Sequence, residues 1–158
     1  MRQLIQNAHV VQGLAPLSVS TVTPDYVSLK NYQHVTAIIS LTCSTGVAAC
    51  AVTLKQATTV AGGSEKALGF DYVWKNENIT AETLTKTAVT SDTFSSTANV
   101  NDKLFVIEVD PDSLDVDNGF DCVRVALADA AATVASVVYI LSQPRFIDQT
   151  THMASITD

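Results

Sequence analysis

Long apolar runs and an uninterrupted leader are both missing from this sequence of 158 residues. No apolar stretch approaches the roughly 20 residues that a membrane-spanning helix requires, so we expect no membrane partner. Polar residues break up the apolar part of "MRQLIQNAHVVQGLAPLSVS", which therefore lacks the core of a secretory signal peptide. The expectation is a soluble protein that is made in the cytoplasm.

Positive charge is scarce. Nine Lys and Arg stand against sixteen Asp and Glu, giving a formal charge of -7 and a pI near 4.7. The basic residues are scattered singly, without the mixed basic and aromatic runs of nucleic-acid-binding segments. Because a polyphosphate surface would repel such a chain, we exclude nucleic acid as a partner.

Motifs of enzymes and cofactor sites are missing too. The sequence contains no GxSxG around a serine, no P-loop and no GxGxxG. Its three histidines, His9, His34 and His152, lie far apart and outside any metal-ligand spacing. We therefore predict a protein that is not an enzyme, with no catalytic residue and no cofactor.

Cysteine is present as three residues, an odd number without CxxC pairs. This argues against a disulfide framework or a zinc site and favours reduced, partly buried thiols. Cys43 and Cys50 flank "STGVAA" and would face each other across a hairpin. A disulfide between them is therefore an open alternative.

Thr, Val, Ala and Ser are abundant, which favours strands over helices. "HVTAIISLTC" alternates with period 2, and "CAVTLKQAT" repeats the pattern after Gly46. The two segments are predicted to form an antiparallel hairpin. The predicted buried face of the first is Val35, Ala37, Ile39, Leu41 and Cys43.

Three aromatic residues, Phe70, Tyr72 and Trp74, share one face of "ALGFDYVWK". We predict that this face packs in the core. If the rings were exposed, they would form a platform on which sugars stack, so a carbohydrate-binding module is an alternative of another class.

Further strands are predicted in "KLFVIEVD", "FDCVRVALA" and "TVASVVYILSQPRF", the last of them central. Residues 80–100 are either a pair of strands or a projecting loop. About eight strands separated by frequent turn signals indicate an all-β protein, an antiparallel β-sandwich of jelly-roll or Greek-key type. We predict one domain, with an N-terminal arm at 1–16, the sandwich at 17–142 and a C-terminal tail at 143–158. The two ends are expected to dock onto a neighbour.

Carboxylates crowd the stretch "EVDPDSLDVDNGFD". An EF-hand with Gly119 as its glycine would put Leu114 and Val116 at ligand positions, so that template fails. The favoured interpretation is a solvated crossover between strands, with Pro111 starting a helical turn and Gly119 in a tight turn. A calcium site of another kind stays open, and its candidate ligands are Asp110, Asp112, Asp115 and Asp117.

The order of these segments resembles that of small β-rich virion proteins from tailed bacteriophages. The likeness is carried by "QNAHVVQGLAP", "VSLKNYQHVTAIISL", "KLFVIEVDPDSLD" with "FDCVRVAL", and "VVYILSQPRF". Such proteins accompany the major capsid protein as head decoration or cement subunits. The resemblance implies a non-enzymatic, homo-oligomeric protein of the capsid surface that bridges neighbouring capsomers. It also implies that segments 1–16 and 143–158 are contacts.

A tail, neck or fibre protein is the alternative within the same particle. The sequence leaves open the oligomer number and the location on the virion.

Overall fold

The computed structural model of this chain describes residues 4–19, 23–43, 49–78, 81–128 and 133–145. These ranges contain a helical turn at Leu4–Asn7 and eleven β-strands. The strands are β1 (Ala8–Ser18), β2 (Val27–Ser28), β3 (Tyr32–Cys43), β4 (Ala51–Ala57), β5 (Lys66–Ala67), β6 (Tyr72–Glu77), β7 (Thr85–Ala88), β8 (Thr93–Ser95), β9 (Asp102–Val109), β10 (Cys122–Leu127) and β11 (Thr133–Pro144). Among the described helices, none has the length and apolar character needed to cross a membrane.

The strands form two antiparallel sheets arranged as a sandwich. The larger sheet has the order β1-β11-β3-β9-β6-β7, and the smaller has the order β2-β10-β4-β5, with β8 also paired to β4. The predicted all-β sandwich is confirmed, whereas its jelly-roll or Greek-key subtype stays a prediction. In the described ranges, eight of the strands have four or more residues, and β2, β5 and β8 are shorter.

The core lies between the sheets. The predicted inward face of β3 is confirmed, since all five of its residues are buried. Phe105 on β9 and Val137 on β11 join it from the larger sheet, and Leu54 on β4 joins it from the smaller. Each such side chain contributes roughly 1.5–3 kcal/mol when removed from water. The backbone N–H of Val125 on β10 donates to the Tyr139 hydroxyl on β11 at 3.0 Å, which links the two sheets.

The predicted hairpin of β3 and β4 is wrong, because the two strands belong to different sheets. β3 lies between β11 and β9, and β4 pairs with β10, β5 and β8. β3 and β11 each have twelve residues and pair almost end to end, whereas β4 has seven. Alternation identified the buried face of β3 correctly, but it carries no information about the strand beside it.

The predicted N-terminal arm is also corrected. β1 runs from Ala8 to Ser18 as an edge strand antiparallel to β11, so the boundary at residue 16 cuts through a strand. Its register shifts twice, between Gln12 and Leu14 and again before Leu17. Each shift moves later side chains out of alternation, which hid the strand in the sequence. At the other end β11 continues to Pro144, and residues 146–158 lie outside the described ranges.

The Asp-rich stretch connects β9 in the larger sheet to β10 in the smaller, so the predicted crossover is confirmed. It passes through two single 3-10 turns, Pro111–Ser113 and Val116–Asn118. Gly119 then adopts a φ of 82°, a left-handed conformation that glycine adopts without strain. In the 80–100 segment, β7 lies at the edge of the larger sheet and β8 pairs in the smaller one.

Candidate functional site

Apolar side chains cross the outward face of the larger sheet in one continuous row. The cross-strand register aligns Val138 on β11, Ile38 on β3, Val106 on β9 and Trp74 on β6. All four are half-buried, while their chain neighbours Val137, Ile39, Phe105 and Val73 are fully buried on the other face. We call these four outward residues the apolar row.

Polar residues mark the two ends of the apolar row. Gln12 on the edge strand β1 pairs with Val138, and Lys86 on the edge strand β7 pairs with Trp74. Ile140 and Leu104 are half-buried on the same outward face, so the apolar surface is wider than the row itself. A contiguous apolar surface with a polar rim is the usual composition of a protein interface.

The predicted placement of the aromatic residues is wrong for two of them. Val73 faces the core and is 0% exposed, whereas Tyr72 is 49% exposed and Trp74 is half-buried on the outward face. Phe70 precedes the strand and packs edge-on against Phe94 at a ring distance of 6.2 Å. The physical reason is the alternation of the strand: because Val73 packs in the core, its neighbours Tyr72 and Trp74 point to the opposite face.

Tyr72 and Trp74 stand at the wall of an open groove of about 310 Å³. The ammonium of Lys86 lies 3.8 Å from the centre of the Tyr72 ring and 5.8 Å from that of Trp74, so it makes a cation–π contact. We call this the acidic aromatic groove. Its chemically distinctive lining residues are Asp71, Tyr72, Trp74, Lys86, Glu108 and Asp110.

His34 positions one of these carboxylates. Its Nδ1 lies 2.7 Å from Asp110 Oδ1, and its Nε2 lies 3.8 Å from Glu108 Oε1. The Asp110 carbonyl accepts a bond from the Ser113 backbone N–H at 3.0 Å. Asp110 is thus held from both its side chain and its backbone beside the aromatic rings.

The four calcium candidates do not converge. Asp110 contacts His34, while Asp115 contacts the Lys66 ammonium and accepts bonds from the Asn118 amide at 2.8 and 2.9 Å. Hydrogen bonding to Lys66 is the main cause that lowers the pKa of Asp115. Asp112 and Asp117 are exposed in the 3-10 turns. Within the described ranges, no group of three or more His, Cys, Asp or Glu could hold a metal ion.

The histidines also lie apart. His9 lies beside the Tyr32 ring at a centroid distance of 6.1 Å, His34 lies at the groove, and His152 falls outside the described residues.

Comparison with known proteins yields one structural likeness. No protein-family model matches the chain, and no curated protein matches it. It is similar to the crystal structure of the SPBc2 prophage-derived protein YomS, with a TM-score of 0.45 and 10% sequence identity. The match covers 86% of this chain and 94% of that chain.

Glu65 forms an ionic cluster that sequence reasoning missed. Its Oε2 accepts bonds from the Tyr26 hydroxyl at 2.5 Å and from Arg124 Nη2 at 2.7 Å, and its Oε1 contacts the Lys55 ammonium. The bonds from Lys55 and Tyr26 lower the pKa of Glu65. Burial and the bond to Glu65 raise the pKa of Tyr26. The cluster joins the segment before β2 to β4 and β10, which is a structural role.

A buried lysine was missed as well. Lys103 is 2% exposed, and its ammonium donates to Ser96 Oγ at 3.2 Å and to Cys43 Sγ at 3.5 Å. Thr133 Oγ1 donates to the same sulfur at 3.5 Å. Cys43 and Cys50 are both free and buried, so the disulfide alternative is not formed. Sequence spacing alone places Lys103 on β9 but gives no sign that the pairing with β3 buries it against a thiol.

Proposed function

We propose that this chain is a structural virion protein that binds the outside of an assembled phage capsid and stabilises it by bridging neighbouring capsomers. The identity of the particle is supported by the resemblance of the segment order to head decoration and cement proteins. The observation that carries a docking role is the apolar row, a half-buried stripe from β11 to β6.

The row suits attachment to a repeating surface. Its four side chains bury only part of their area in the isolated chain, so further burial against a partner is favourable at roughly 25 cal/mol per Å². A protein that contacts several shell subunits at once gains affinity through effective concentration, without any one strong contact. Oligomerisation of the chain is part of the proposal, and sedimentation of the purified protein measures it.

The test adds purified protein to expanded capsids that lack it. The wild-type protein should cosediment with the heads and raise the temperature at which they disrupt. Heads whose disruption temperature is unchanged after saturating addition would rule out the stabilising role. Antibody labelling of the virion that decorates the tail would instead support the tail, neck or fibre alternative.

A matched pair of variants tests the docking face. Val106→Asp places a charge in the middle of the apolar row, whereas Ala126→Asp places the same charge on β10 of the smaller sheet, where Ala126 is likewise half-buried. We expect Val106→Asp to lose capsid binding and Ala126→Asp to keep it, provided that both melt cooperatively. Equal binding by the two variants would show that the larger sheet is not the docking face.

A further inference from the structure

The aromatic wall of the acidic aromatic groove already holds a positive charge. Lys86 reaches across from the edge strand β7, and its ammonium lies over Tyr72 and near Trp74. Aromatic ring faces attract a cation through the ring quadrupole, and Arg makes this contact more often than Lys. The chain's own lysine therefore shows which ligand chemistry the two rings accept.

The remaining lining carries an excess of negative charge. Three carboxylates, those of Asp71, Glu108 and Asp110, line the groove together with the single ammonium of Lys86. The side chains of Glu108 and Asp110 are 54% and 66% exposed, so both can contact a partner. A neutral sugar needs no such excess, whereas a cation is attracted by it.

The groove is continuous with the proposed docking face. Trp74 is both the last residue of the apolar row and a wall of the groove. A protein surface lying along the row would therefore bring a side chain over the groove at the β6 and β7 edge. Charged groups at such a rim fix the alignment of the two surfaces and select the partner, whereas the apolar centre supplies the buried interface area.

We propose that the acidic aromatic groove receives an arginine or lysine side chain of the protein surface on which the larger sheet docks. This inference rests on the proposed function for the identity of the partner. The incoming cation takes the place of the Lys86 ammonium over the two rings, in the groove that the three carboxylates also line. Lys86 is thus a resident competitor, and its removal should strengthen binding.

The experiment uses the full chain without any capsid, so its outcome is independent of capsid binding. The probe is a capped hexa-arginine peptide, and the control is hexa-citrulline, which has nearly the same shape without charge. Trp74 is the single tryptophan of the chain, so its fluorescence reports binding at the groove. We expect hexa-arginine to change that fluorescence saturably and hexa-citrulline to leave it unchanged.

Variants distinguish the groove from general attraction to an acidic protein. Lys86→Ala should bind hexa-arginine about fivefold more tightly, because it frees the ring faces of Tyr72 and Trp74, and Tyr72→Ala should bind about fivefold more weakly, because it removes one of those rings. Lys30→Ala removes the same charge from an exposed lysine that does not line the groove, and it should change the affinity far less than Lys86→Ala. Tyr72→Phe keeps the ring and should bind like the wild type.

Two results would overturn the proposal. One is a Lys86→Ala variant that binds no more tightly than Lys30→Ala, which would mean that net charge alone drives binding. The other is a Tyr72-dependent fluorescence change caused by neutral oligosaccharides and not by hexa-arginine. That second result would identify the groove as a sugar-stacking platform.

Discussion

Gly13→Ala tests whether β1 is an integral part of the sheet. Gly13 lies at the first register shift of β1, and a Cβ there would stand 2.1 Å from Tyr139 Cε2 and 2.7 Å from Cδ2. Such distances are impossible without movement. The Tyr139 ring is 1% exposed within the core, so it has no open space into which it could turn.

The destabilisation caused by Gly13→Ala has two contributions. Forcing one extra carbon into a packed core costs about 1–3 kcal/mol. Displacing the Tyr139 ring also strains the bond that its hydroxyl accepts from the buried Val125 N–H, and loss of that bond costs about 1–3 kcal/mol more. We expect Gly13→Ala to lower the free energy of unfolding by about 3 kcal/mol, which for a chain of this size lowers the Tm by about 6–12 °C.

Calorimetry and urea unfolding measure the effect, with Gly69→Ala as the matched control. A Cβ on Gly69 would meet no atom within 4 Å, so this variant should melt within about 2 °C of the wild type. In a Tyr139→Leu background the methyl group that Gly13→Ala adds should cost much less, because the obstructing ring is gone. If Gly13→Ala melts like Gly69→Ala, β1 does not pack on Tyr139 and residues 8–16 are an arm after all.

Three further predictions concern buried and paired groups. Tyr139→Phe leaves the Val125 N–H without its partner and should lower the free energy of unfolding, measured in urea, by about 1–3 kcal/mol. An unchanged urea midpoint would show that the hydrogen bond between Val125 and Tyr139 does not link the two sheets. Glu65→Gln should lower the Tm at pH 7. The folded-state pKa of Glu65 lies below its ordinary value of 4.5. The stabilisation that the Glu65 carboxylate provides is therefore present above pH 4.5 and is lost as the pH falls through the folded-state pKa. A Tm difference that persists unchanged at pH 2 would contradict this. The pKa of Cys122 is raised to about 12, mainly by burial and then by the neighbouring Asp121. A thiol reagent at pH 8 should therefore modify Cys122 only when the protein unfolds. Rapid labelling of Cys122 in the native protein would refute this.

The sequence predicted those parts of the fold that depend on one strand or one turn. Period-2 alternation identified the buried face of β3, from Val35 to Cys43, because a strand puts successive side chains on opposite faces. Pro111 and Gly119 identified the crossover. Proline restricts the backbone conformation, and glycine permits a left-handed conformation that few other residues adopt. Both signals are local and require no knowledge of the neighbouring strands.

The rest depended on contacts between distant segments. Alternation divides β6 into two faces without saying which one is inside, and the three aromatic residues made the wrong face look apolar. The acidic aromatic groove exists only because β9 lies beside β6, which brings Glu108 and Asp110 near Tyr72. Strand order is a property of the whole sandwich, so the groove left no motif in the sequence.

The edge strands of the two sheets affect whether crowded copies of the chain can pair with one another. A coat protein would be present in many copies side by side, where an exposed strand edge can recruit the next chain and start a fibre. β1 is interrupted by two register shifts and contains Pro16, which has no N–H to donate, and β7 has four residues. The outer strands of the smaller sheet are β2 and β5, with two residues each, and β8, with three. In the described ranges neither sheet therefore ends in a long unbroken strand edge, which disfavours edge-to-edge pairing between neighbouring copies of the chain.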